Sequence, residues 1–60
     1  MNLPADDFIL LSLVNTKLRD NYCSLSELCD EENVPLSEIE KRLSALGYKY
    51  DKDKNAFIRF

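Results

Sequence analysis

The stretch Leu36-Ser37-Glu38-Ile39-Glu40-Lys41-Arg42-Leu43-Ser44-Ala45-Leu46-Gly47-Tyr48-Lys49-Tyr50 decides the fold, because its apolar period changes partway through. Leu36, Ile39, Leu43 and Leu46 keep helical spacing. Gly47 supplies a C-terminal stop. Beyond it, Tyr48-Lys49-Tyr50 and Ala56-Phe57-Ile58-Arg59-Phe60 are rich in β-formers. They predict a hairpin of strands 48–51 and 56–59, with Lys52, Asp53, Lys54 and Asn55 at its tip. Asn55 suits the left-handed conformation of such a turn, and this register sets Tyr50 opposite Phe57. A lone hairpin is not stable in water, so it must pack on the helices.

Working back toward the N-terminus, the helix that ends at Gly47 covers residues 36–46. Two starts compete for it: Pro35 favours an early one, and Ser37 with Glu40 offers a capping box. A second helix, residues 25–32, has the clearest start signal. Ser24-Leu25-Ser26-Glu27 is a capping box, and Cys23 with Leu28 occupies the two positions of a hydrophobic staple. Leu25, Leu28 and Cys29 form its buried side, and Asn33 ends it. A first helix, residues 6–20, follows Pro4. Asp6 and Asp7 complement the positive end of its dipole, Lys17 and Arg19 the negative end. Leu10, Leu11, Val14 and Leu18 make its core stripe, and Asn21 is placed as a left-handed stop.

The fold class that results is mainly α: one domain over residues 1–60, with three helices and a C-terminal β-hairpin. The second and third helices have helix-turn-helix spacing, with small Cys29 inside and Asn33 where a glycine often stands. With the hairpin added, the order resembles a minimal winged helix. The whole chain also resembles a small bacterial family, domain of unknown function 4250. The resemblance rests on Met1-Asn2-Leu3-Pro4, on Val14-Asn15-Thr16-Lys17-Leu18-Arg19-Asp20, and on Gly47-Tyr48 before the hairpin. It implies a bacterial source and these domain limits, and it implies no activity, cofactor or binding site.

Composition narrows the function classes. Of 60 residues, 45% are apolar and 32% charged, which is the balance of a folded chain. The longest apolar stretch, Phe8 to Val14, is far shorter than the ~20 residues of a membrane span. Acids rather than Lys or Arg precede it, unlike a secretory signal. A cytoplasmic protein without membrane contact is expected. Cys23 and Cys29 are expected to be reduced and metal-free, since a helix between them separates them too far for a disulfide. A structural zinc site also usually needs four Cys or His ligands, and the chain has no His. No catalytic constellation is visible. Without His, the usual base near neutral pH is missing, and one Gly cannot build a phosphate loop. The expectation is a non-enzymatic domain with no cofactor and no small-molecule substrate.

Two binding classes remain. Residues 1–40 hold Lys17 and Arg19 against nine acids, a net of −7, and residues 41–60 hold six cations against Asp51 and Asp53, a net of +4. A basic end suits polyanions. If nucleic acid is bound, Lys49, Lys52, Lys54 and Arg59 carry it, with Lys41 and Arg42 assisting. Against this, Glu38 and Glu40 lie where a recognition helix meets phosphate, and a Lys-rich tip also discourages edge pairing. The favoured class is a protein-interaction module, with a protein partner or a weak homodimer. Phe8, Ile9 and Leu13 lie off the core stripe of the first helix and are the contact candidates, with Ile9 and Leu13 expected to be more exposed than that stripe. The competing reading is that this helix is central and covered on both sides.

Overall fold

The computed structural model describes residues 2–60. Met1, which the sequence reading placed in the domain and its opening motif, lies outside the described residues. The chain forms α1 (Asp7–Asp20), α2 (Leu25–Glu32), α3 (Leu36–Ala45), β1 (Tyr48–Asp51) and β2 (Ala56–Arg59). The expected three helices and hairpin are present, with ends within a residue of those read from sequence. The strands pair antiparallel with Tyr50 opposite Phe57, and the two rings tilt against each other at 5.7 Å.

Each helix end has a local chemical cause. Asp6 stands outside α1 as its N-cap, its Oδ1 accepting from Phe8 N at 2.8 Å and Ile9 N at 3.1 Å. Ser24 caps α2, its Oγ accepting from Glu27 N at 3.1 Å. Asn33 closes α2 in the left-handed region, φ 57°, where a short polar side chain is tolerated. Gly47, at φ 88°, turns the chain from α3 into β1, a conformation that residues with a Cβ adopt only at a steric cost.

Several expectations change. Asn21 is not left-handed (φ −127°). Asn55 Nδ2 donates to Leu18 O at 3.1 Å and Tyr22 O at 2.8 Å, so carbonyls at this end are satisfied from the hairpin. Cys23, read as one end of a staple, is exposed and stands outside the core cluster. The entry to α2 is also met by the Tyr50 hydroxyl, which accepts from Leu25 N at 3.3 Å. The Ser37–Glu40 box does not form: α3 starts at Leu36, one residue after Pro35, which stands as the N-cap in extended backbone (φ −72°, ψ 128°) and offers no side-chain cap. Leu36, in that first turn, is exposed rather than part of the core.

The core consists of Leu10, Val14 and Leu18 from α1, Leu25, Leu28 and Cys29 from α2, Val34, Ile39 and Leu43 around α3, and Phe57 from β2. Leu11, Tyr48 and Tyr50 pack against it half-buried. In an antiparallel ladder, alternate residues aim their N–H and C=O away from the partner strand. Phe57 is such a residue, and Asn15 of α1 meets both groups. Asn15 Oδ1 accepts from Phe57 N at 2.8 Å, and its Nδ2 donates to Phe57 O at 3.2 Å. One side-chain amide thus takes the place of a neighbouring strand. In the hairpin turn, Asp51 Oδ1 accepts from Asp53 N and Lys54 N, and Asn55 follows with φ 51°.

Asn15→Ala should leave both Phe57 backbone groups without a protein partner. The expected loss is about 1–3 kcal/mol in urea unfolding, the range for an unpaired buried polar group. Asn15→Asp should lose nearly as much, because a carboxylate cannot donate to Phe57 O.

On the α1–α2 side, the Tyr22 hydroxyl donates to the Glu32 carboxylate, which also meets Lys17 Nζ at 3.4 Å. The hydrogen bond to Glu32, with burial and the nearby acids adding, pushes the Tyr22 phenol up to about 12. The same bond, aided by Lys17, holds Glu32 below its ordinary value. The signs follow by linkage. The Tyr22 contribution is complete below pH 10.0, its ordinary value, and is lost between there and about 12, because the unfolded chain ionises first. The Glu32 contribution is present above the ordinary glutamate value and is lost as pH falls through its depressed one. Tyr22→Phe should therefore differ most from the wild type at intermediate pH, with the two stability profiles converging in acid and above pH about 12. Phenolate absorbance should show one late-titrating tyrosine that the variant lacks.

Candidate interaction surface

The outer side of α1 follows from its geometry. Leu10, Val14 and Leu18 recur every four residues and are fully or almost fully buried. At 100° per residue, Ile9, Ser12 and Thr16 fall on the far side of the helix, and Leu13 on the flank beside Leu10. Phe8 is 63% exposed and Ile9 59%. They are adjacent in sequence and account for two of the four exposed large apolar side chains among the described residues. Leu13 is half-buried and stands outside the core cluster. It lines a shallow depression on α1 with Phe8, Ile9, Ser12 and Thr16. Phe8, Ser12 and Thr16 also line an open groove between α1 and the hairpin, whose other wall includes Tyr48 and Lys54. The two depressions thus form one continuous surface, edged by Asp6 at one end and Arg19 at the other.

The cations are placed differently from one another. Arg42 is turned inward: its Nε donates to Asp7 Oδ1 at 2.7 Å, and its Nη2 donates to Pro4 O at 2.6 Å and Ala5 O at 3.1 Å. It pins the segment before α1 and is not a free phosphate ligand. Lys41, Lys49, Lys52, Lys54 and Arg59 are exposed. Paired residues share a face of the hairpin and alternate along it. Tyr48, paired with Arg59, packs toward the core, and Lys49 pairs with Ile58 on the opposite face. Lys49 and Arg59 therefore lie on opposite faces, while Lys52 and Lys54 lie in the turn at the other end from Arg59. The hairpin gathers Lys52 and Lys54 and separates the rest.

Both thiols are free. Burial pushes the Cys29 thiol up, and Asp30 and Glu40 add to the shift, so it is a poor nucleophile. Among the described residues, no group of three or more His, Cys, Asp or Glu side chains could hold a metal ion. Nor is any helix among them long and apolar enough to cross a membrane.

The residues missed by sequence reading are Asn15, Asn55 and the Tyr50 hydroxyl, which join elements far apart in the chain. The hydroxyl donates to Asn55 Oδ1 at 2.7 Å while accepting from Leu25 N. Asn55 was legible as a turn former only, and Asn15 carried no signal.

No curated protein and no solved structure matches the chain. A family model does match, over residues 4–57, a span that takes in all three helices and most of the hairpin. With that coverage, the chain belongs to the family described as domain of unknown function (DUF4250).

Proposed function

We propose that this domain is a non-enzymatic protein-interaction or self-association module whose contact surface is the outer face of α1. The observation that carries the reading is the pairing of Phe8 and Ile9, both more than half exposed, beside a core stripe on the same helix that is already complete. Single exposed apolar residues are ordinary. Two large ones side by side, continuous with Leu13 and the groove along α1, form a patch of the kind that partners cover. The sequence supports the non-enzymatic part, since it holds no His to act as a base near neutral pH. A cytoplasmic setting belongs to the same proposal and is supported by the two free thiols.

Ile9→Glu and Leu13→Glu test this reading. Each variant should keep the helical circular dichroism of the wild type, and each should lose self-association or capture of a protein partner. Unfolding of the Ile9 variant, or unchanged association in both, would overturn it.

A second reading rests on Lys52 and Lys54. Both are exposed in the hairpin turn, and the neighbouring Asp51 carboxylate is engaged by turn amides. In this reading, the helix-turn-helix-like order of α2 and α3 serves weak nucleic-acid binding. Affinity would come from phosphate contacts and would carry little sequence preference. A titration at low salt with mixed duplex and single strands should then show binding that falls steeply with salt. Lys52→Glu with Lys54→Glu should abolish it, and Lys41→Glu should only weaken it. Absence of binding at low salt removes this reading.

A further inference from the structure

The outer edge of β1 is open, and we propose that it takes up an extended, acidic segment of a partner protein as a third strand of the sheet. This site does not depend on the reading of α1 as a contact surface.

The register fixes where the backbone groups point. Phe57 turns its N–H and C=O away from β1, toward Asn15. Phe60 N, by contrast, donates across the hairpin to Gly47 O at 3.0 Å. Pairs along the ladder therefore alternate between facing outward and facing inward. Tyr48 and Tyr50, level with Arg59 and Phe57, belong to the outward set. Their two N–H and two C=O groups point away from β2. The sheet has two strands, and among the described residues no group hydrogen-bonds to those four. The two edges of the hairpin thus differ: Asn15 takes the place of a strand beside β2, and nothing does so beside β1. Like groups on this edge recur every ~7 Å, the two-residue repeat of a strand. An extended backbone has the same repeat and can meet all four groups, most stably when laid antiparallel.

The side chains choose the partner. Lys49 lies between the two tyrosines in sequence and on the opposite face of the hairpin. It is exposed, and among the described residues no acid pairs with it. A strand along β1 sets one side chain directly opposite Lys49, where an Asp or Glu is favourable and a Lys or Arg is not. The two residues flanking that acid fall on the core face beside Tyr48 and Tyr50, which are half-buried and suit apolar β-formers. The segment therefore reads apolar, acidic, apolar.

A second copy of this chain fits less well. The two-fold register that uses all four groups sets Tyr48 opposite Tyr50 of the other copy, and Lys49 then lies opposite Lys49. Shifting by two residues sets Lys49 opposite Asp51, but it moves Tyr48 level with Lys52, which is already in the turn. Each register satisfies either the backbone or the charges. A lysine in this place discourages an open edge from pairing with its own kind, and a partner of different sequence meets both demands.

The probe is the capped peptide Thr-Thr-Val-Glu-Val-Thr-Thr, titrated into the isotope-labelled chain and followed by NMR. The amide resonances of Tyr48 and Tyr50 should move most, and their exchange with solvent should slow. The same peptide with Lys in place of Glu should bind about tenfold more weakly. N-methylation of its two Val residues should abolish binding, since it removes the donors to Tyr48 and Tyr50. Lys49→Glu changes an exposed position, so it should keep the wild-type circular dichroism and reverse the order of the two peptides. No shift at Tyr48 and Tyr50 up to about 5 mM peptide, or equal binding of the Glu and Lys peptides, overturns the proposal. Concentration-dependent shifts of those two amides in the chain alone also overturn it, because a second copy is then the occupant. Ile9→Glu should leave the titration unchanged, so failure here and failure of the α1 reading are separate results.

Discussion

The amide of Asn55 is the joint on which this small fold depends. It donates to Leu18 O and Tyr22 O near the end of α1 and accepts from the Tyr50 hydroxyl, which in turn accepts from Leu25 N at the start of α2. One left-handed turn residue thereby ties the end of one helix, the start of the next and both arms of the hairpin. Of the two carbonyls it meets, Leu18 O is one that a helix end leaves without an internal partner, and Tyr22 O belongs to the connection that follows. Asn15 does the same for the edge of β2. A 60-residue chain buries too small a share of its surface for the apolar core alone to fix every element. Side-chain amides that pair backbone groups supply connections that a larger domain would draw from further strands.

The number of elements, their order and most of the core could be read from the sequence, because these depend on period and on local punctuation. Leu10, Val14 and Leu18 declare themselves at i, i+4 spacing, and Gly47 marks the break where period 3.6 gives way to period 2. The failures are of another kind. Asn21 does cap α1, its N–H donating to Lys17 O at 2.8 Å, but without the left-handed conformation read for it. Leu18 O and Tyr22 O are met by Asn55, over thirty positions away. Cys23 and Leu28 have staple spacing, yet Tyr50 from β1 fixes that corner. In each case a long-range hydrogen bond is added to the local cap, and spacing holds no information about such bonds.

The charged residues show the same limit. Counting charges along the chain puts six cations in its last third, which suggested a basic end. Folding spends Arg42 on Asp7, Pro4 and Ala5 and puts Lys49 and Arg59 on opposite faces of the hairpin. What is left in the turn is Lys52 and Lys54, with the exposed Asp53 between them. Linear charge asymmetry is therefore a weak guide to surface potential in a domain where a hairpin folds back on the helices.

The first helix was the one element for which sequence left two outcomes open, central and covered on both sides, or covered on one. The chain has too little material for the first. α2, α3 and β2 all pack on α1, and the core they share takes in Leu10, Val14 and Leu18, while Phe8 and Ile9 remain more than half exposed. Folding does not require those two positions to be apolar, since the buried stripe lies on the other side of the helix and is already complete. A polar residue at Ile9 would leave that stripe intact. On the reading proposed for this surface, the apolar character of Phe8 and Ile9 answers to a contact outside the monomer.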